Sequence, residues 1–450
     1  MAQASLMTLP AELLYAICAE LCWHCLQIPV HSTWAHRGSQ IDLLNLSRVC
    51  RRLRATADPT RYHSLHLMGE WDLAFLLRTL SERPDLAACV SRVSVNCRCR
   101  LPPPVSDRDY TKPNSVRLLE YLGGAADASS TKLQGVGRRT HHAVLLLSLL
   151  RLAPNLQQLY LDLFGLAEFG RLDGPAELFA SFTRPTLREL YFSGDGWDLP
   201  LDVTVPILRR APNLEVLECD ILYRVTGRFP SSLGRACPAD SPPLQNLTEL
   251  SLVDTSLTAA HFRHLVDAAG PRLAKISITR TAERPRTAEF GPPVLVVEFD
   301  EAVTALQPWH GSLRELSFIM HGEVNPYVRG LRDARRLCKF EALEMLQVQA
   351  VVFDFDGRVG PQEEALTSAL PPSIRRLRLF GPGDLAPGLR GLVGAVEAGR
   401  FGRLCTVEID EQGGEGDGPE SEAGCKLRDV AAAFRSAGVG FIVHPLRLRR

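Results

Sequence analysis

Cys22-Trp23-His24-Cys25, with His31 and His36 close behind, carries thiol and imidazole groups at short spacing. Those are ligand types that tetrahedral zinc takes. A competing reading fits the same residues. Cys18, Cys22 and Cys25 recur on one helical face, and the gaps from cysteine to histidine are shorter than in familiar zinc fingers. The string is therefore read as part of an apolar helix face, with no metal and no cofactor assigned. A redox role has less support, since no strand precedes the pair. Cys97-Arg98-Cys99 has no second ligand pair and reads as a strand end. The basic run Arg48, Arg51, Arg52 and Arg54 is short and lacks interleaved aromatics. It suits a solvated helix face, or one that meets an acidic partner, better than nucleic acid. The chain offers no Ser-His-Asp grouping, phosphate-cradling loop or helical pair of metal-binding histidines.

A second string, Val352-Phe353-Asp354-Phe355-Asp356-Gly357, resembles the first motif of haloacid-dehalogenase-type phosphatases, an apolar strand followed by Asp-x-Asp-Gly. The resemblance implies a nucleophilic Asp354 and a general acid/base Asp356. Arg358 stands where Thr or Val is usual, and the chain from there to Arg450 is spent on further apolar repeats. A strand end running into a turn is the preferred reading, with the phosphatase a remote alternative.

Composition narrows the remaining classes. With 51 basic and 51 acidic side chains, the formal net charge is zero, so no global field attracts nucleic acid or an anionic membrane. The first residues lack a basic leader, and Pro10, Glu12 and Glu20 interrupt the apolar stretch, unlike a signal peptide. The longest apolar run, Ala143 to Leu150, falls far short of the ~20 residues that span a bilayer. A soluble protein of the cytoplasm, the nucleus or both is expected. The 12 cysteines are scattered, and Cys18, Cys50 and Cys219 occupy apolar-face positions, as buried thiols do in a reducing compartment.

The elements begin with two amphipathic helices. Leu9-Pro10-Ala11-Glu12-Leu13-Leu14-Tyr15-Ala16-Ile17 opens the first, with Pro10 where its missing N–H costs nothing. Leu9, Leu13, Leu14, Ile17 and Leu21 form its stripe. The second carries Leu43, Leu46, Val49, Cys50 and Leu53 on one face and is expected to stop at Asp58-Pro59. Tyr62 to Leu67 reads as a short strand. The order Leu-Pro-x-Glu-Leu-Leu-x-x-Ile, then Leu-Ser-x-Val-Cys-Arg-x-Leu-Arg, then a strand resembles the F-box, with an insertion at 22–41 similar to that of F-box proteins from filamentous fungi. The resemblance covers residues 1–67. It implies docking onto the Skp-type adaptor, and through it the cullin, of an SCF-type cullin–RING ubiquitin ligase. The adaptor would be held by Leu9, Pro10, Leu13, Leu14, Ile17, Leu46, Val49, Cys50 and Leu53.

Beyond residue 140 the pattern apolar-x-x-apolar-x-apolar recurs at Leu156, Leu187, Leu214, Leu247, Leu273, Leu313, Leu343, Ile374 and Leu404, and Val90 opens an earlier copy. Residues two apart share one face of a strand, and neither strand nor helix can bury its face alone. The expected fold is α/β: a leucine-rich-repeat solenoid, an irregular horseshoe, behind a small all-α F-box. Residues 68–140 form a connecting region with a first irregular repeat, and 141–450 the solenoid with a C-terminal cap. The position of the usual ladder Asn or Cys is degenerate, so each turn is expected to satisfy its own backbone groups. Residues 101–114, 123–139 and 411–424 read as excursions.

The function implied is that of a non-catalytic substrate receptor whose concave strand face binds a target protein. Tyr160, Asp162, Glu189, Tyr191, Glu218, Asp220, Arg376 and Arg378 are the candidate contacts, with a basic target segment expected at Asp162, Glu218 and Asp220. The main alternative is a repeat scaffold that no longer engages a ligase.

Overall fold

A computed structural model describes residues 6–22, 25–26, 33–67, 70–95, 148–162, 186–193, 208, 211–220, 244–253, 255, 259–280, 297–320, 334–353, 362–381, 385–411 and 422–445. The chain forms two compact units, Met1–Leu214 and Glu215–Arg450.

The first unit opens with three helices: α1 (Ala11–Glu20), α2 (Thr33–Val49) and α3 (Arg51–His63). Pro10, with ψ at 153°, ends the preceding turn, and its carbonyl accepts the N–H of Leu14 to start α1. Leu14 and Cys18, four apart, face inward. The helix tightens and ends as Leu21 and Cys22 donate to the carbonyls of Cys18 and Ala19. Cys22 and Cys25 thus lie beyond α1, which corrects the reading of Cys18, Cys22 and Cys25 as one helical face.

Two further expectations are corrected here. Helix α2 starts at Thr33, so much of the insertion at 22–41 is helix rather than connection. Pro59 does not stop the second stripe; the break comes at Cys50, whose extended backbone separates α2 from α3 and whose Sγ accepts the N–H of Leu53 at 3.4 Å. Cys50 serves as the N-cap there. Helix α3 passes through Pro59, which forfeits only the bond to the Ala55 carbonyl. Leu53, Ala57, Thr60 and Tyr62 are buried around it, so packing holds the helix where propensity would end it.

The same unit continues with β1 (Ser64–Leu67), α4 (Glu70–Glu82), α5 (Pro84–Ala87), β2 (Arg92–Val95), β3 (Gln158–Asp162) and β4 (Glu189–Ser193). Its four strands pair in chain order and all in parallel. The excursions expected at 101–114 and 123–139 lie outside the described residues.

In the second unit eight strands pair in parallel, again in chain order: β5 (Val216–Asp220), β6 (Glu249–Val253), β7 (Lys275–Arg280), β8 (Glu315–Met320), β9 (Met345–Gln349), β10 (Arg376–Phe380), β11 (Thr406–Glu411) and β12 (Gly440–Pro445). Among the described helices are α6 (Ala259–Ala268), α7 (Phe299–Ala305), α8 (Glu364–Ala369), α9 (Ala386–Glu397) and α10 (Glu422–Ser436). The third expected excursion is partly helix, since α10 begins at Glu422. The α/β class expected from the sequence is what the chain forms.

The repeated apolar pattern explains this order. In all ten copies, from Val90-Val93-Val95 to Leu404-Val407-Ile409, each of the three positions is at most 7% exposed. The second positions are in register from strand to strand: Val93, Leu159 and Leu190 in one unit, Leu217, Leu250, Ile276, Leu316, Leu346, Leu377 and Val407 in the other. A one-residue slip would turn each set outward, so the pattern fixes the register.

At the strand entries the backbone accounting repeats from copy to copy, while most turns at the ladder position, where a copy-by-copy arrangement is expected, lie outside the described residues. At the entry to β3, β4 and β6 to β11, two successive N–H groups donate to one carbonyl of the copy before. Thr248 and Glu249 donate to Glu215, Ala274 and Lys275 to Thr248, and Arg314 and Glu315 to Ala274. Glu344 and Met345 donate to Arg314, Arg375 and Arg376 to Glu344, and Cys405 and Thr406 to Arg375. Side chains add to this seam at some copies, as when Ser312 donates to Leu273 at 3.1 Å and Ser373 to Leu343 at 2.8 Å. Carbonyls have two lone pairs, so one acceptor serves both donors and no dedicated asparagine is needed at this edge.

Candidate functional site

The docking residues expected in the N-terminal helices divide into two groups. Leu14, Leu43 and Leu53 are buried, and Leu46 packs against the small core of Cys18, Cys22, Leu43 and Ala57. Cys50 and Leu9 are half-buried and Pro10 is exposed. Leu13, Ile17 and Val49 point outward, 50%, 37% and 67% exposed. Helical geometry forces this division. Leu13 and Ile17 lie four apart, as do Leu14 and Cys18, but the two rows are offset by one residue, roughly 100° around α1. With Leu14 and Cys18 inward, the Leu13–Ile17 row cannot reach the same core.

The exposed apolar residues are concentrated in one stretch of the chain. Of the ten large hydrophobic residues most exposed among the described residues, seven fall between 6 and 49: Leu6, Leu13, Tyr15, Ile17, Leu26, Ile41 and Val49. Arg52 donates to the Leu9 carbonyl at 2.5 Å, which holds the start of α1 at the start of α3. Val49 and Cys50 lead directly into that end of α3. Exposed apolar side chains gathered on a small helical module are a surface that a partner could cover.

The cysteine string finds a different histidine from those expected. Cys22 and Cys25 lie with His63, at the end of α3, and their ligand atoms are all within 4.8 Å of one another. Cys25 Sγ stands 3.5 Å from His63 Nδ1, and Cys22 Sγ donates to the Thr60 carbonyl at 3.7 Å. Partial desolvation, then the neighbouring Cys22, pushes the pKa of the surface-exposed Cys25 thiol up to about 11, and burial lowers that of His63. His31 lies outside the described residues, as does the side chain of His36. His63 was legible as a candidate only by its offset, since it follows Cys25 by 38 residues.

On the strands, Tyr160 and Tyr191 stack with centroids 4.0 Å apart and planes within 5°. The Tyr191 hydroxyl donates to Glu189 Oε2 at 2.9 Å, and burial, with Tyr160 and Glu189 beside it, raises its pKa. These three expected contacts form one cluster on the first unit. The side chain of Asp162 is outside the described residues. Glu218 and Asp220 flank the buried Cys219, whose thiol is pushed up to about 12 by burial first and then by those two carboxylates.

The arginines expected beside this face are partly committed to the protein itself. Arg378 makes a forked contact with Asp410 at 2.8 and 3.2 Å and lies 4.8 Å over the Phe380 ring. Glu408, 3.8 Å from Arg378, also meets His444 at 3.0 Å. Arg376 remains exposed. Lys275 bridges Glu249 and Glu315, 2.7 and 4.0 Å away. These cross-strand ion pairs went unread in the sequence, although partners one repeat apart carry opposite charge.

Asp354 and Asp356 lie outside the described residues. Strand β9 ends at Gln349, and Ala350–Val352 form a 3-10 turn, so the apolar residues just before Asp354 are not a strand.

In comparison with known proteins, no family model and no curated protein matches this chain. Among the described residues, no helix is long and apolar enough to cross a membrane.

Proposed function

We propose that the chain is the substrate-recognition subunit of an SCF-type cullin–RING ubiquitin ligase. Residues 1–67 act as an F-box that binds the Skp-type adaptor, and a leucine-rich-repeat solenoid binds the protein to be modified. The observation that carries this reading is the split stripe: Leu14, Leu43 and Leu53 build the core while Leu13, Ile17 and Val49 stay outside. Folding alone gives no reason to keep three branched aliphatic residues in water on so small a module, whereas a helical partner with an apolar groove does. The sequence order around Leu9-Pro10 and Leu46-Ser47-Arg48-Val49-Cys50-Arg51 resembles the F-box, a module that uses such a stripe.

Two properties of the repeats support the rest. Parallel strands in chain order, ten of them carrying a buried apolar triplet, suit stacked repeats. The opposite strand face carries half-exposed Tyr160, Glu189 and Tyr191 in the first unit, and half-exposed Glu218, Asp220 and Arg378 with exposed Arg376 in the second. Stacked tyrosines beside a carboxylate are the kind of anchor that interfaces use. The chain performs no chemistry in this reading; it raises the local concentration of a target lysine near a ubiquitin-loaded enzyme. The compartment is cytoplasm, nucleus or both.

Affinity purification of the full chain, read by mass spectrometry, tests this. The native chain brings down adaptor and cullin, and the double change Leu9→Ala with Pro10→Ala loses both. Their absence from the native sample would leave the ligase-independent scaffold as the better account.

A further inference from the structure

From the convergence of two thiols and an imidazole, we infer that Cys22 Sγ, Cys25 Sγ and His63 Nδ1 hold a structural divalent metal ion of the zinc type. The inference stands whether or not the chain binds an adaptor. It departs from the reading of the sequence, which assigned no metal.

Geometry is the first support. Zinc bonds of about 2.3 Å to sulfur and about 2.0–2.1 Å to nitrogen place tetrahedral corners about 3.8 Å apart for two sulfurs. For a sulfur and a nitrogen the same bonds give about 3.5 Å. Cys25 Sγ and His63 Nδ1 are 3.5 Å apart, and no ligand-atom pair in the group exceeds 4.8 Å. Small side-chain rotations close the remaining distance.

Chemistry is the second. Thiolate and neutral imidazole favour zinc over magnesium or calcium, which take oxygen. Two cysteines three apart, just past a helix end, are the usual chelating half of a zinc site, and the third ligand comes from a distant segment. Among the described residues this is the one cluster of three such groups. Bound there, a divalent cation stabilises both cysteines as thiolates.

Location is the third. The core under these helices is small, with Cys18, Cys22, Leu43 and Ala57 at its centre. A metal bridging Cys22 and Cys25 to His63 ties the exit of α1 to the last turn of α3, which a few buried side chains hold only weakly. A small module gains stability from such a staple because the ligand set does not persist in the unfolded chain. The fourth position is left to water or a further donor.

The full chain, purified under reducing conditions without added metal, should release about one zinc per molecule on denaturation. Cys25→Ser and His63→Gln should each lose it, while Cys338→Ser, an exposed cysteine of the other unit, should keep it. Cys25 is exposed, so circular dichroism can show that its variant remains folded. His63→Cys should retain the metal, since a third thiolate can replace the imidazole. With cobalt(II) in place of zinc, that variant should show a stronger thiolate charge-transfer band. Native protein free of metal, with Cys22 and Cys25 as thiols or joined as a disulfide, would overturn the inference. So would zinc that survives both Cys25→Ser and His63→Gln.

Discussion

The N-terminal helices and the repeat strands spend the same kind of residue in opposite ways. In the ten apolar triplets every Leu, Ile, Val, Phe or Cys is withdrawn from water. In α1 and at the end of α2, the apolar stripe is split, with Leu14 inside and Leu13, Ile17 and Val49 outside. The strands achieve full burial because their parity is two, so a triplet with its last two members two apart puts both on one face. A helix that carries apolar residues at both Leu13 and Leu14 is wider than the core beneath it. What the comparison teaches is that apolar content alone does not mark a core. The stripe left over after the core is filled carries information about binding.

The contrast can be broken or sharpened by truncations at buried and exposed positions. The largest loss should come from Leu346→Ala in β9, fully buried between Leu316 and Leu377. Cavity formation there should cost about 2–5 kcal/mol, read from denaturant unfolding. Ser373→Ala should cost about 1 kcal/mol, since it removes a buried hydroxyl that donates to the Leu343 carbonyl at 2.8 Å. That carbonyl sits in the seam between copies, so a change near zero would argue that the backbone bonds suffice. The smallest effect is expected where the sequence looks most like a core. Leu13→Ala with Ile17→Ala should move stability by less than about 1 kcal/mol, because both side chains are exposed already. A loss as large as that of Leu346→Ala would erase the distinction between the two regions.

How much of this was legible follows from the range of each interaction. The strand triplets are local, and one pattern repeated ten times announces both the faces and the parallel order. The start of α2 at Thr33 was not legible, since Thr33-Trp34-Ala35-His36-Arg37-Gly38 carries no apolar stripe. Helix α3 continues through Pro59 because Ala57, Thr60 and Tyr62 find tertiary partners, and packing outweighs the local cost of proline. The uniform seam of shared carbonyls is made of backbone groups, which leave no trace in side-chain identity. Of the candidate target contacts, Tyr160, Glu189 and Tyr191 lie together on neighbouring strands. The engagement of Arg378 by Asp410 was readable only by laying one repeat over the next. The pairing of Cys22 and Cys25 with His63 spans two helices, and spacing alone could not choose His63 over His31 or His36.

The docking claim is tested most directly by titrating the purified full chain with a purified Skp-type adaptor in a calorimeter. Two proteins are compared, the native chain and the triple variant Leu13→Ala, Ile17→Ala, Val49→Ala. The native chain should bind with a negative heat-capacity change, the mark of apolar burial. The variant should bind at least about thirtyfold more weakly, given about 2 kcal/mol for a central anchor, while unfolding at the same denaturant concentration. Equal affinity for both proteins, or no binding by the native chain, would contradict the account.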